Sequence, residues 1–348
     1  MGGAEYKGLI ISLFALTAGL SRPFSGKLAD RMGRKPVMIF GALAATVCSA
    51  LYPLMSGIIG FFILRFLHGL STGFKPTGTT AFLADIVDDK NRGEALGILG
   101  MSGSIGMAAG PAIGSAVAQN FSLEAMFMLS SFIGLLSALS VWVIHESSQQ
   151  SFQPNMLKVG RRDLFEPRVI PSSLVMLLTT YSFGMALTII PDFSDYLQIE
   201  NRGLFFTVML VASILTRLYS GKASDRLGRD YMLIIGTAVL FLAMTLLALT
   251  DDPILFFAGA LIFGVATGIN SPTLFAWTVD LANQNNRGRA ISTMFIALEL
   301  GILSGAYLSA EIYDNDPEGF GSAFASGAVL AIVATTYLTI RRNRRKKA

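Results

Sequence analysis

Three features of this 348-residue chain predict an all-α membrane protein made of two parallel, pseudo-repeated helical bundles. It is 52% hydrophobic and only 14% charged, with a mean hydropathy of +0.57, a composition too apolar for an ordinary soluble core. Apolar runs long enough to cross a bilayer recur along its length. A charged ten-residue stretch also occurs twice: Gly26-Lys27-Leu28-Ala29-Asp30-Arg31-Met32-Gly33-Arg34-Lys35, then Gly221-Lys222-Ala223-Ser224-Asp225-Arg226-Leu227-Gly228-Arg229-Asp230, 195 positions later. The same offset relates Arg22 to Arg217, Gly69 to Gly264, Gly73 to Gly268, Asp85 to Asp280, and Asn91-Arg92-Gly93 to Asn286-Arg287-Gly288. One register over six places requires a duplicated unit, and at this spacing that means two related halves rather than a solenoid.

A helix needs about 20 apolar residues to cross the hydrocarbon layer. Eleven such runs are expected. In the first half they cover Gly8 to Phe24, Pro36 to Met55, Ile58 to Phe82, Leu96 to Ala118 and Glu124 to Ile144. In the second they cover Ile170 to Phe193, Leu204 to Tyr219, Tyr231 to Leu249, Pro253 to Thr278, Ala290 to Ile312 and Gly321 to Ile340. The expected organisation is therefore a bundle over 1–145, a polar linker over 146–169 with room for a short surface helix, a second bundle over 170–340, and a basic tail over 341–348. Of the 27 Lys and Arg residues, 21 fall on one side of this arrangement, in the two charged stretches, the linker, the tail and the two N-R-G segments with Lys90, Arg92, Arg287 and Arg289. Bases collect on the cytoplasmic face, so both stretches and the C-terminus are expected inside. The net charge of +4 is thus an orientation signal and not a nucleic-acid footprint. The tail bases also suit a lipid-binding cluster.

The repeated stretch resembles the loop signature of the major facilitator superfamily of secondary transporters, G-x-L-A-D-R-x-G-R-K. The first copy matches every fixed place; the second departs at its last, where Asp230 replaces a base. The resemblance extends over essentially the whole chain and implies two bundles carrying family helices 2 to 6 and 7 to 12. Moved back by 195, the Ile170 to Phe193 run lands before residue 1, so the first of the usual twelve helices is expected to be missing, through a truncated gene model or a true eleven-span design. Met1-Gly2-Gly3 would then lie outside, and it lacks the basic n-region of a signal peptide.

In the family, the acid of the signature meets the start of a helix from the other half of the chain. The resemblance places Asp30 against the helix beginning near Arg287 and Gly288, pairs Arg34 with Asp85, and by the repeat places Asp225 after Arg92-Gly93 and Arg229 beside Asp280. A carboxylate suits the positive end of a helix, and glycines permit close approach. The expected cytoplasmic gate comprises Gly26, Asp30, Arg31, Gly33, Arg34 and Asp85 with Gly221, Asp225, Arg226, Gly228, Arg229 and Asp280.

A second pattern, Gly97-x8-Gly106-x3-Gly110-Pro111-x2-Gly114, puts small residues where helices can approach and a proline where a kink can form. It resembles the signature of the drug and proton antiporter and sugar-efflux branches and so points to export; ordinary small-residue packing is the alternative. On the Ile58 to Phe82 run, Arg65, His68, Thr72 and Lys75 stay within about 80° of one helix face. Charges in hydrocarbon need a cavity or a partner, so this stripe is expected to face the interior. Arg65 and Gly69 match the family's R-x-x-x-G motif, implicated in coupling; a structural arginine held by carbonyls is the other reading. Glu299 is the one acid deep in an apolar run. Glu299 and Lys75 each lie about 15 Å along their helices from a charged end, on opposite halves. Asn270 takes the place of Lys75 in the second half, and Ser104 that of Glu299 in the first. Alternating access to water would let Glu299 take up and release a proton; the alternative is a structural acid bonded to its neighbours.

The expected function is proton-coupled export of a small molecule by alternating access, with symport of a sugar or organic anion, or a non-transporting sensor, as alternatives. The chain is expected to be a monomer in the plasma membrane. No Walker motif, dinucleotide fingerprint or hydrolase constellation occurs, so no enzyme, cofactor, metal or nucleic-acid partner is expected. Cys48 stands alone, which excludes an intramolecular disulfide.

Overall fold

The computed structural model describes residues 7–55, 57–145, 160, 165–314 and 316–347. Met1-Gly2-Gly3 and most of the linker, 146–159 and 161–164, lie outside them, as does the surface helix expected there. The described residues form eleven α-helices and no strand: α1 (Lys7–Met32), α2 (Arg34–Leu51), α3 (Ile58–Ile86), α4 (Arg92–Asn120), α5 (Leu123–Trp142), α6 (Ile170–Tyr196), α7 (Leu204–Leu227), α8 (Arg229–Ala248), α9 (Pro253–Leu281), α10 (Arg287–Tyr313) and α11 (Gly319–Lys347). Nine of them, all but α1 and α4, are long and apolar enough to cross a membrane.

The helices outrun the apolar stretches that predict them. The charged signature reads as a turn, yet α1 continues through it to Met32 and breaks only at Gly33, with φ 105°; α7 continues to Leu227 and breaks at Gly228, with φ 92°. Positive φ is open to glycine at little cost, so these two residues mark the joints with α2 and α8. The basic tail likewise prolongs α11 as far as Lys347. Its Arg341 lies over the Trp277 ring and Arg342 over the Tyr231 ring. Polar residues end a hydrophobic run without ending the backbone ladder, because each N–H still finds its carbonyl four residues back.

Side chains cap several ends. Ser122 accepts from the Ala125 amide at the start of α5 (3.1 Å), and Asp252 accepts from Ile254 (2.7 Å) and Leu255 (3.0 Å) ahead of α9, with Pro253 as its first residue. Lys35 donates to the carbonyls of Trp142 (2.7 Å) and Ile144 (2.8 Å) at the end of α5.

Two compact units result. One consists of 1–86, 109–169 and 281–296, the other of 87–108, 170–280 and 297–348. Relative to bundles bounded at 145 and 170, the starts of α4 and α10 are exchanged between the units. In the first unit, α3 packs closely on α1, where a Cβ at Gly73 would stand 2.9 Å from the Ala18 carbonyl oxygen. In the second, α9 packs on α7 by the same device, with Gly268 facing the Ser213 carbonyl oxygen at 2.8 Å. The apolar core of the second unit gathers Met185, Ile189 and Phe193 of α6, Phe205 of α7, Phe256 and Phe263 of α9, and Phe324 of α11.

The α4 glycines behave differently from expectation. A Cβ at Gly97 would touch the Arg217 carbonyl oxygen at 3.4 Å and one at Gly114 the Met126 side chain at 3.7 Å, but at Gly106 and Gly110 no atom of the described residues lies within 4 Å. The boundary between the two units falls between Ala108 and Ala109, within this stretch. The Pro111 ring, on which the expected kink rests, lies outside the described side chains.

Candidate functional site

The repeated stretch builds one charge network in each unit. In the first unit the Asp30 carboxylate sits on the N-terminus of α10, accepting from the amides of Gly288 (2.7 Å) and Arg289 (2.9 Å). These are two of the four N–H groups that a helix start leaves without an internal partner, and the helix dipole favours a negative group there. The close seat needs glycine: a Cβ at Gly26 would fall 2.9 Å from the Gly288 carbonyl oxygen. Arg34 touches Asp30 at 3.1 Å and donates through Nε to Asp85 at 3.0 Å; Arg287 holds the other Asp85 oxygen at 2.6 Å. Both Asp30 and Arg34 have side chains only 8% exposed. Burial pushes the Asp30 carboxyl up to about 6, outweighing Arg34 and the Arg289 and Gly288 amides, which pull it down.

The second unit repeats the arrangement at an offset of 195. Asp225 accepts from the amides of Gly93 (2.9 Å) and Glu94 (3.0 Å) at the start of α4. Arg229 pairs with Asp225 at 2.6 Å and with Asp280 at 2.9 Å, and Arg92 closes the network on Asp280. Ser224 accepts from Arg229 (2.7 Å) at the place where Arg34 meets the Ala29 carbonyl.

Arg31 and Arg226 belong to neither network. Both are exposed, because the helix continues through the signature and residues i and i+1 point about 100° apart. Other members escaped the spacing argument. Arg92 and Arg287 were visible only as parts of the repeated N-R-G, yet each completes an acid's coordination. Glu166 at the end of the linker is buried and binds Arg289 through Nε at 3.1 Å, while its amide donates to Thr293 at 2.9 Å. The repeat carries Arg289 to Glu94, an acid in place of a base, which pairs with Lys222 (2.9 Å). The networks thus match at their centres and differ at their edges.

The polar stripe of α3 has local partners. Arg65 stacks on the Phe14 ring at 4.7 Å, Phe14 meets the His68 ring edge-on, and His68 Nδ1 shares a hydrogen bond with the Tyr52 hydroxyl at 3.1 Å. Lys75 donates to Ser137 of α5. Asn270 is 4% exposed and lies against Gly236 of α8, as Lys75 lies against Gly41 of α2. Glu299 is half-buried on α10 and falls in the second unit, whereas Lys75 falls in the first. No cluster of metal-ligating side chains occurs among the described residues.

The family model described as Major Facilitator Superfamily matches residues 3–200 and again 172–348. A multi-drug resistance efflux pump of Streptococcus pneumoniae, PmrA, is 32% identical over 77% of this chain and 69% of its own length. The multidrug resistance protein MdtG of Enterobacter lignolyticus is 28% identical over 97% of this chain and 83% of its own. Among solved structures, the human organic anion transporter MFSD10 superposes with a TM-score of 0.82 at 18% identity, over 96% of this chain and 83% of that one. The proton:xylose symporter XylE superposes with a TM-score of 0.79 at 14% identity, over 95% and 84%. These structural likenesses speak to the fold alone.

Proposed function

The chain belongs to the major facilitator superfamily and is a multi-pass membrane transporter of the secondary type, and on that premise we propose that it exports a small molecule in exchange for protons. The observation that carries the mechanism is the duplicated network. Each copy fastens an acid of one half of the chain to the first amides of a helix from the other half: Asp30 to α10, Asp225 to α4. Two such contacts, each worth up to about 2 kcal/mol when partly buried, suit a closure that is strong enough to hold and weak enough to open. The export direction is supported by the relatives named as multidrug efflux proteins. The proton is assigned to Glu299, the acid within the α10 span, and Arg65 with its His68 and Tyr52 neighbours serves as a coupling element of the first unit. The protein works as a monomer in the plasma membrane, with both networks and the C-terminus on the cytoplasmic side.

Purified protein reconstituted into vesicles with an imposed pH gradient tests this. A fluorescent cargo should move against its own gradient only when protons flow the opposite way. Movement of cargo and protons in the same direction would replace export with symport, and no flux under any gradient would remove the transport cycle proposed here.

A further inference from the structure

We infer that Arg217 is a binding group for an anionic cargo. The argument comes from comparing the two copies of one arginine. In the first unit Arg22 is 2% exposed and fully engaged: its guanidinium donates to the Thr77 hydroxyl at 3.2 Å and lies 4.0 Å from the centre of the Phe295 ring. Thr77 belongs to α3 and Phe295 to α10. The repeat carries Arg22 to Arg217 on α7, Thr77 to Pro272 on α9 and Phe295 to Gly100 on α4. Both partners are therefore removed in the second unit. Pro272 has no hydroxyl to accept a hydrogen bond, and Gly100 has no ring to stack.

The corresponding positions are nonetheless still neighbours. The Arg217 guanidinium lies over Gly100, with Cζ 3.3 Å from where a Cβ would stand, and Pro272 borders the same place through Gly97. What changes is the state of the charge. Arg217 forms no hydrogen bond or ion pair among the described residues, and its Nε is closed off from solvent without an acceptor. A guanidinium is always protonated, and within a membrane-spanning helix it requires either an acceptor or a water-filled cavity. Arg217 is partly exposed, its guanidinium reaches into the place that a side chain at Gly100 would take, and of its N–H groups only the one on Nε is closed off, so the others are open to a ligand. A planar fork of N–H donors that has no acceptor among the described residues fits a carboxylate, sulfonate or phosphate.

This deepens the export reading by giving the charge of the cargo, and it rests on that reading. The test uses two xanthene dyes of similar shape, carboxyfluorescein as the anion and rhodamine 123 as the cation, with detergent-purified protein and phosphatidylcholine vesicles free of anionic lipid. Fluorescence polarisation should show the anion bound in preference to the cation. Arg217→Met should weaken anion binding by roughly 10- to 100-fold, the cost of losing a charge-assisted hydrogen bond, and leave cation binding unchanged. Arg217→Lys should retain part of it. The double change Gly100→Phe with Pro272→Thr, which restores the partners that Arg22 has, should mimic Arg217→Met while preserving the charge. No anion preference in the wild-type protein, or equal weakening of both dyes in the Arg217→Met variant, would overturn the inference. Anion-selective binding that depends on Arg217, in vesicles that show no proton-driven export, would uphold it and remove only the export reading.

Discussion

Asp30 carries an opposition between two forces. Two amides and Arg34 favour its charged form, and burial opposes it strongly enough to bring its carboxyl to about 6 from 3.8. A carboxyl raised on folding stabilises the fold fully below its unfolded value, and that contribution is lost as pH rises through the folded one. Over the window from about pH 4 to pH 6 the loss amounts to about 3 kcal/mol at most. Thermal unfolding in detergent across this window should therefore show wild-type stability falling relative to Asp30→Asn as pH rises; parallel profiles would mean that Asp30 is solvated as an ordinary surface acid. The pairing of Arg34 with Asp85 was legible through the resemblance that the repeated stretch carries. Glu166 was not. It lies in the polar linker, has no counterpart in the other half, and meets Arg289 only through the fold, 123 residues away in sequence.

At the scale of the helix, Gly33 is the joint on which the network depends, because it turns the chain so that Arg34 folds back toward Asp30 and the Ala29 carbonyl. Its φ of 105° is strained for any residue with a Cβ. Gly33→Ala should cost about 1 to 3 kcal/mol in unfolding free energy. Gly57→Ala, where a Cβ would meet nothing within 4 Å, should stay within about 0.5 kcal/mol. Equal effects of the two would show that the joint relaxes freely. Each expected apolar run falls on a described helix, with α1 and α4 short of the apolarity of a span, but several helix ends lie beyond the run. Periodicity and apolar length report where a helix is buried, and α1, α7 and α11 continue beyond that, held by backbone hydrogen bonds that leave no mark on hydropathy. The α4 glycines show the converse: a pattern of small residues marks where a neighbour could approach, and at Gly106 and Gly110 no described residue comes within 4 Å of a Cβ.

Across the whole molecule the 195-residue repeat is the strongest organising fact, and it was legible because duplicated contacts demand duplicated residues. Its breaks are as informative as its matches. Since the two networks are equivalent at their centres, Asp30→Asn and Asp225→Asn should each reduce transport by similar factors, because each replaces two carboxylate acceptors with one amide oxygen and leaves one helix-start N–H without its acceptor, at a cost of about 1 to 3 kcal/mol. Cysteines placed beside each network should become more reactive toward a cytoplasmic thiol reagent in these variants; unchanged reactivity with normal transport would separate the networks from opening. Glu299 breaks the symmetry in the opposite sense, as an acid within a span where the first half has Ser104. A charge in that setting persists only by facing water or a partner, and alternating access supplies water from each side in turn. Glu299→Gln keeps the shape and removes the titration. Proton-driven accumulation should be abolished, whereas exchange of labelled for unlabelled cargo across the membrane, which needs no net proton movement, should persist. Lys75→Ala, which removes the donor to Ser137 in the first unit, should chiefly weaken cargo binding and leave proton coupling in place. Full proton-driven transport by Glu299→Gln would move the coupling group elsewhere in the chain.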